Sequence, residues 1–167
     1  MTPSPPPPRR RRDTPPPRTG LAERDVLLSF LDYLRASVIG KVEGVPDPLV
    51  RTPGVPSGTN LLGLLKHLTN VERYIFLGEN VTDWPSTFRT GPDEAVAELV
   101  TAYQDTVARA NRVIAACDDL ESAAARPSNG KEPPSMRWAL VHMIEETARH
   151  AGHLDILREL ADGSTGR

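Results

Sequence analysis

An all-α fold, a four-helix bundle, is what this 167-residue sequence predicts. Three observations carry the prediction. Four stretches of about 20 residues or longer repeat apolar side chains every three or four positions, the spacing that lines one face of a helix. No strand-like alternation separates them. The segments between them are rich in proline and glycine, which interrupt helices.

The chain opens on prolines that flank the run Arg9 to Arg12. Proline removes backbone donors and fixes φ, and nothing in this stretch makes an apolar face. Residues 1–19 therefore read as a disordered, polyproline-like tail. Four arginines are a weak signal for nucleic acid. A formal net charge of −2 supplies no overall field toward such a partner.

Residues 20–163 form the predicted bundle, with 164–167 as a flexible C-terminus. The first helix begins near Leu21 and carries Val26, Phe30, Leu34 and Val38 on one face, with Glu23 and Asp25 in its first turn, where they favour the helix dipole. "VPDPLVRTPGVPSG" then breaks the chain with four prolines and two glycines, a length of loop that is often functional. A second helix follows with the stripe Leu61, Leu64, Leu68, Val71 and Ile75. A loop carrying Trp84 and Phe88 comes next. Thr90 and Asp93 resemble a capping box for the third helix, whose core side is Val96, Leu99, Val100, Tyr103, Val107, Ala110 and Ile114. The fourth helix has Ser135 as its N-cap and ends before Gly163.

Several function classes are disfavoured at this level. The single cysteine, Cys117, allows no internal disulfide. No apolar run approaches the roughly 18 residues of a membrane span, and no apolar segment near the N-terminus suits a secretory signal. A cytoplasmic protein is the expectation.

The polar residues on the core faces carry the chemistry. His67 stands between Leu64 and Val71, within or beside the stripe of its helix. His142, Glu146 and His150 follow one another at four-residue spacing, drifting only about 40° per step. Beside them runs the apolar line Leu140, Met143, Ile144, Thr147, Ala151 and Leu154. A buried ionised carboxylate is costly unless paired. A divalent cation held by one carboxylate and two imidazoles removes that cost, and bundle metal sites are built from inward side chains on facing helices. His67, Glu146 and His150 supply such a set, with His153 and His142 as alternates. By residue type alone, Glu146 and His150 equally suit an i, i+4 ion pair, and His67 a hydrogen-bonded interior histidine. Glu145 and Arg149 read as a solvated pair.

The stretches "LLGLLKHLTNVERYIF" and "SMRWALVHMIEETARHAGHLDILREL" resemble the DinB superfamily of bacterial four-helix bundles, which includes the metal domain of mycothiol-dependent maleylpyruvate isomerase. The resemblance spans about Leu21 to Gly163. Many members have a histidine on the second helix and an H-x-x-x-H pair on the last. Here the pair is Glu146 and His150, the glutamate variant that resembles the isomerase branch. Asn70 departs from the pattern, standing where close relatives have a second histidine. The resemblance implies His67, Glu146 and His150 as ligands of a divalent ion, zinc or nickel. It also implies a low-molecular-weight thiol, mycothiol or bacillithiol, and S-transfer to an electrophilic substrate or thiol-assisted isomerisation. The rival expectations are metal-dependent hydrolysis and a non-catalytic, stress-related or dimerising metal-binding bundle. A homodimer is expected to use exposed apolar faces and the Trp84–Phe88 loop. Arg73 and Arg137 are candidate carboxylate binders, and Cys117 has no assigned role.

Overall fold

The computed structural model describes residues 14–18, 20, 22–127 and 130–166. The expected tail over residues 1–13 lies outside them. Within the described part of that segment, the Thr14 carbonyl accepts a hydrogen bond from the Tyr33 hydroxyl at 2.8 Å.

Among the described residues the secondary structure is helical: α1 (Glu23–Val42), α2 (Asp47–Val50), α3 (Leu61–Phe76), α4 (Val96–Ala115) and α5 (Met136–Asp162), with a 3-10 turn at Pro85–Phe88. One isolated bridge, Ala123 to Ser135, ties the loop before α5 to its start. The four long helices are the expected bundle. α1 packs chiefly on α5, α3 chiefly on α4, and α3 also on α5, so the first and last helices of the chain are neighbours.

Helix ends follow local chemistry. The Asn60 side chain accepts from the Gly63 N–H at 2.8 Å and caps α3. Ser135 caps α5 as expected, accepting from the Trp138 N–H. Gly163 ends it at φ 74°, a left-handed conformation that glycine adopts without strain. The expected capping box at Thr90 is corrected: α4 begins at Val96 after an extended Ala95, and Glu94 instead accepts from the Gly91 N–H. The proline-rich loop after α1 contains the single turn α2.

The α3 stripe is buried as expected. On α1 the buried face is Leu31, Arg35, Val38 and Val42, while Phe30 is 39% exposed. This corrects the predicted stripe. The helix is rotated because Arg35 enters the core, where Nε and Nη2, one edge of its guanidinium, donate to the two carboxylate oxygens of Glu72 on α3 at 2.7 Å.

Two apolar clusters result. One holds Leu31, Ile75, Phe76, Ile114 and Met143. The other holds Val38, Val42, Leu64, Leu68, Tyr103 and Leu154. Between the two lie the buried polar residues Arg35 on α1, Thr106 on α4 and Thr147 on α5, and Glu72 of α3 pairs with Arg35. The bundle is thus divided across its middle by a polar layer. The C-terminal segment lies against α1, with Lys41 donating to the Gly166 carbonyl and pairing with Asp155. No helix among the described residues is long and apolar enough to cross a membrane.

Candidate metal centre

α3 carries His67 inward toward α5, which presents Glu146 and His150 one turn apart. The three side chains offer ligand atoms that all lie within 4.8 Å of one another. Two bonds of ~2.0–2.2 Å to one shared ion would bring such atoms to within about 4.4 Å, so little movement is needed. Glu146 Oε1 sits between the two rings, 3.4 Å from His67 Nε2 and 3.1 Å from His150 Nε2.

The second nitrogen of each ring is also held. His67 Nδ1 lies 2.8 Å from Thr87 Oγ1. The Thr87 hydroxyl donates its only proton to the Trp84 carbonyl at 2.6 Å, so it accepts from His67 Nδ1–H. That fixes the tautomer, with the Nε2 lone pair facing Glu146. His150 Nδ1 meets His153 Nδ1 at 3.3 Å, which turns its Nε2 toward the same carboxylate.

Electrostatics sharpen the picture. Burial, reinforced by the His150 ring, pushes His67 down to about 4, so it is neutral at pH 7. Burial likewise lowers His150. Burial alone would raise Glu146, but His150, His67 and Arg149 together outweigh it and hold the carboxyl below its ordinary range. Arg149 reaches the other carboxylate oxygen at 3.5 Å from the surface. In the metal-free site the His67 Nε2 lone pair and His150 Nε2 thus converge on one oxygen of an ionised carboxylate. The His67 lone pair and the carboxylate oxygen are both acceptors, an opposition that a cation between them relieves. By that test, and by its nitrogen and oxygen donors, the set fits a divalent metal.

These titrations give the metal-free protein a defined acid sensitivity. Glu146 and His150 face His67 from α5, and Thr87 faces it from the 3-10 turn. An unfolded His67 takes its proton near 6.5, the folded one near 4. Between these values the unfolded chain binds more protons, so stability falls as pH drops through that window. The depressed Glu146 adds a loss of the same sign at lower pH. Thermal melts of metal-free protein from neutral to mildly acid pH should show a steadily lower midpoint.

The 3-10 turn supplies the rest of the site. Phe88 stacks on His67 at 3.8 Å between ring centroids and 14° between planes, and Trp84 meets it edge-on at 6.0 Å. Trp84 also packs on Tyr74. The two aromatics expected at a dimer interface thus face the candidate ligands, and the exposed large apolar residues of α5 are Trp138, Val141, Ile156 and Leu160. The turn can approach α3 only because residue 63 is glycine: a Cβ there would stand 2.3 Å from the Phe88 carbonyl oxygen. Gly63→Ala should push the turn outward. Overpacking of this kind costs about 1–3 kcal/mol, or roughly 2–12 °C in melting temperature at this chain length. Calorimetry checks this, and metal affinity should fall in parallel as Thr87 leaves His67.

The alternates take other roles. His153 touches His150 on the ring edge away from Glu146. His142 stacks on Trp138 at 4.7 Å and pairs with Glu145, outside the cluster. The Asn70 amide donates to the Lys66 carbonyl on its own helix. Arg73 is engaged by Thr106 and Glu79, and Arg137 by Glu23 and Glu121, carboxylates of the chain itself. The Cys117 thiol donates to the Asp119 carbonyl at the far end of α4. Sequence spacing gave no sign of Thr87 or Phe88, which lie about 20 residues from His67 and meet it only through the turn.

Comparison with known proteins accords with this architecture. No curated protein matches the chain. Among solved structures it is similar to one described as "YfiT from Bacillus subtilis is a probable metal-dependent hydrolase with an unusual four-helix bundle topology". That likeness has a TM-score of 0.63 at 17% identity and covers 84% of this chain and 90% of that one. It is a likeness of fold and bears out the four-helix bundle. The family described as mycothiol-S-transferase matches residues 26–163. That span takes in α1 through α5 with all three candidate ligands, and the chain belongs to the mycothiol-S-transferase family.

Proposed function

We propose that the protein is a metal-dependent S-transferase that joins a low-molecular-weight thiol to an electrophile, with His67, Glu146 and His150 holding one divalent ion. The observation that supports the ligand assignment is the convergence of two imidazole Nε2 atoms on one carboxylate oxygen. Family membership supports mycothiol as the thiol, with bacillithiol as the alternative to compare. Zinc and nickel both suit the donor set, and the Irving–Williams order gives no clean choice between them in a protein site. When bound, the ion supplies positive charge that lowers the pKa of a thiol beside it.

The chain's own residues do the positioning. Thr87 fixes the His67 tautomer and ring plane. His153 holds the outer nitrogen of His150, and Arg149 steadies Glu146. Such partners of ligand side chains typically matter 10–100-fold in affinity. Phe88 and Trp84 cover the His67 ring and exclude water from it. In the reaction the thiol proton passes to solvent. The sulfur electron pair forms a C–S bond, and the leaving group departs with the pair from the bond it loses.

Metal-loaded protein should consume an electrophile only when thiol is supplied, with the S-conjugate as product by mass spectrometry. Turnover of an ester or amide without thiol would identify a hydrolase instead. Bound metal with no turnover on a broad electrophile panel would identify a binding protein. The bundle itself should outlast the metal, because both apolar clusters are formed by side chains alone. Far-ultraviolet circular dichroism should keep its helical signal after chelation, and a collapse would contradict this.

A further inference from the structure

The candidate ligands stand on two helices, His67 on α3 and Glu146 with His150 on α5. Their ligand atoms stay within 4.8 Å of one another only while those helices keep their spacing. One side chain from outside both helices touches both. The guanidinium carbon of Arg126, in the loop between α4 and α5, lies over the Tyr74 ring of α3 at 5.4 Å and over the Trp138 ring of α5 at 5.0 Å. Both distances fall inside the roughly 6 Å reach of a cation–π contact. Tyr74 follows His67 by seven residues, and Trp138 precedes Glu146 by eight. At 1.5 Å per residue, the clamp stands about 10–12 Å along either helix from the ligands.

The loop that presents Arg126 is itself fixed to both helices. The Ala124 N–H donates to the Pro134 carbonyl and the Met136 N–H to the Ser122 carbonyl, both at 2.8 Å, which ties the loop to the start of α5. The Tyr74 hydroxyl donates to the Pro127 carbonyl at 3.5 Å. Gly78, just past α3, has φ 68°, and a Cβ there would stand 2.9 Å from the Ala125 carbonyl oxygen. The residues on either side of Arg126 therefore rest against α3 and its end. A second route runs through the rings. Tyr74 meets Trp84 edge-on at 5.2 Å, and Trp84 meets His67 edge-on. The Trp84 carbonyl is also the acceptor of the Thr87 hydroxyl that orients His67. Arg126 is thus coupled both to the spacing of the ligand helices and to the turn that holds the first ligand.

We propose that Arg126 is a positioning residue of the metal centre: it clamps Tyr74 to Trp138 and so sets the spacing of α3 and α5 before an ion binds. This rests on the reading of His67, Glu146 and His150 as ligands. Without the clamp the ion must draw the two helices together itself, and that ordering is subtracted from its affinity. Arg126 acts through the two rings and not by touching the ion.

Zinc affinity of the full chain, by competition with a chelator, is the first readout. Arg126→Gln should bind zinc about tenfold more weakly than the parent, a loss within the reach of two cation–π contacts. Trp138→Leu, at a position 42% exposed, should lose a similar amount. The double variant should be no weaker than the weaker single, because both substitutions remove one clamp. With cobalt(II) in place of zinc, the visible absorption of Arg126→Gln should differ from the parent's, since the coordination geometry follows the helices. A side chain that only stabilised the fold would lower the melting temperature and leave affinity and cobalt spectrum unchanged. Should Arg126→Gln lose its helical circular dichroism, Trp138→Leu carries the same two readouts alone. Zinc affinity within about twofold of the parent in the folded single variants, or fully additive losses in the double, overturns the clamp and leaves the ligand assignment standing. A parent chain that binds no zinc, or Glu146→Ala binding as tightly as the parent, overturns the ligand assignment and the role of Arg126 with it.

Discussion

Glu146→Ala is expected to strip the protein of its metal. The substitution removes the one anionic donor and leaves two neutral imidazoles on different helices. Two ligands do not make the three-ligand set that a catalytic site of this kind uses. His67→Ala and His150→Ala should have effects of the same order, each leaving a carboxylate and one ring. His142→Ala should bind as the parent does, because that ring rests on Trp138 and Glu145. His153→Ala and Thr87→Val form an intermediate class. Each removes the partner of a ligand's second nitrogen, and the affinity should fall about 10–100-fold. Elemental analysis after dialysis separates the first class from the parent, and competition with a chelator resolves the intermediate one. Full occupancy in Glu146→Ala, or loss confined to His142→Ala and His153→Ala, would place the metal on another side of α5.

The grading of these variants reflects what spacing can and cannot disclose. His67, Glu146 and His150 were legible because polar side chains at core positions of a helix stand out against the apolar period. The resemblance to a known bundle then chose among the histidines, which spacing alone left open. Rotation of α5 by a fraction of a turn would have favoured His142 or His153, and only packing settles that rotation. Thr87 and Phe88 were illegible, since their place depends on the approach of a 3-10 turn to Gly63. The four helices were legible from the same periodicity, and α3 most clearly, because Leu61, Leu64, Leu68, Val71 and Ile75 keep the apolar period along its whole length even with His67 and Glu72 buried beside them. α1 misled for the opposite reason. Its core face contains Arg35, which an apolar count discards, so the apparent stripe moved toward Phe30 at the surface.

That arginine makes Glu72→Ala the substitution with the largest expected effect on stability. Glu72 is fully buried and Arg35 only 2% exposed. Arg35 Nε and Nη2 each donate to one Glu72 oxygen at 2.7 Å, and Nη1 reaches Asp32 and Asn111, also at 2.7 Å. Burial alone would disfavour the charged guanidinium, but Glu72 and Asp32 outweigh it and hold Arg35 firmly protonated. The hydroxyl of Tyr103, also buried in this part of the bundle, has no hydrogen-bond partner among the described residues, and a neutral hydroxyl does not replace the lost negative charge. Removing Glu72 therefore leaves a buried cation with only part of its shell. Breaking a buried pair in this way costs about 3–5 kcal/mol, a large share of the roughly 5–15 kcal/mol that holds a domain of this kind. The melting temperature should fall by about 6–20 °C. Arg35→Met combined with Glu72→Leu should recover most of that loss, because an apolar pair of similar volume often matches a buried ion pair. A double-mutant cycle by chemical denaturation measures the coupling. A loss under about 1 kcal/mol for Glu72→Ala would mean that water reaches the guanidinium. If the double variant regains stability but binds metal more weakly, the ion pair's contribution is to register. It would fix how α3, which carries His67 five residues before Glu72, sits against the rest of the bundle.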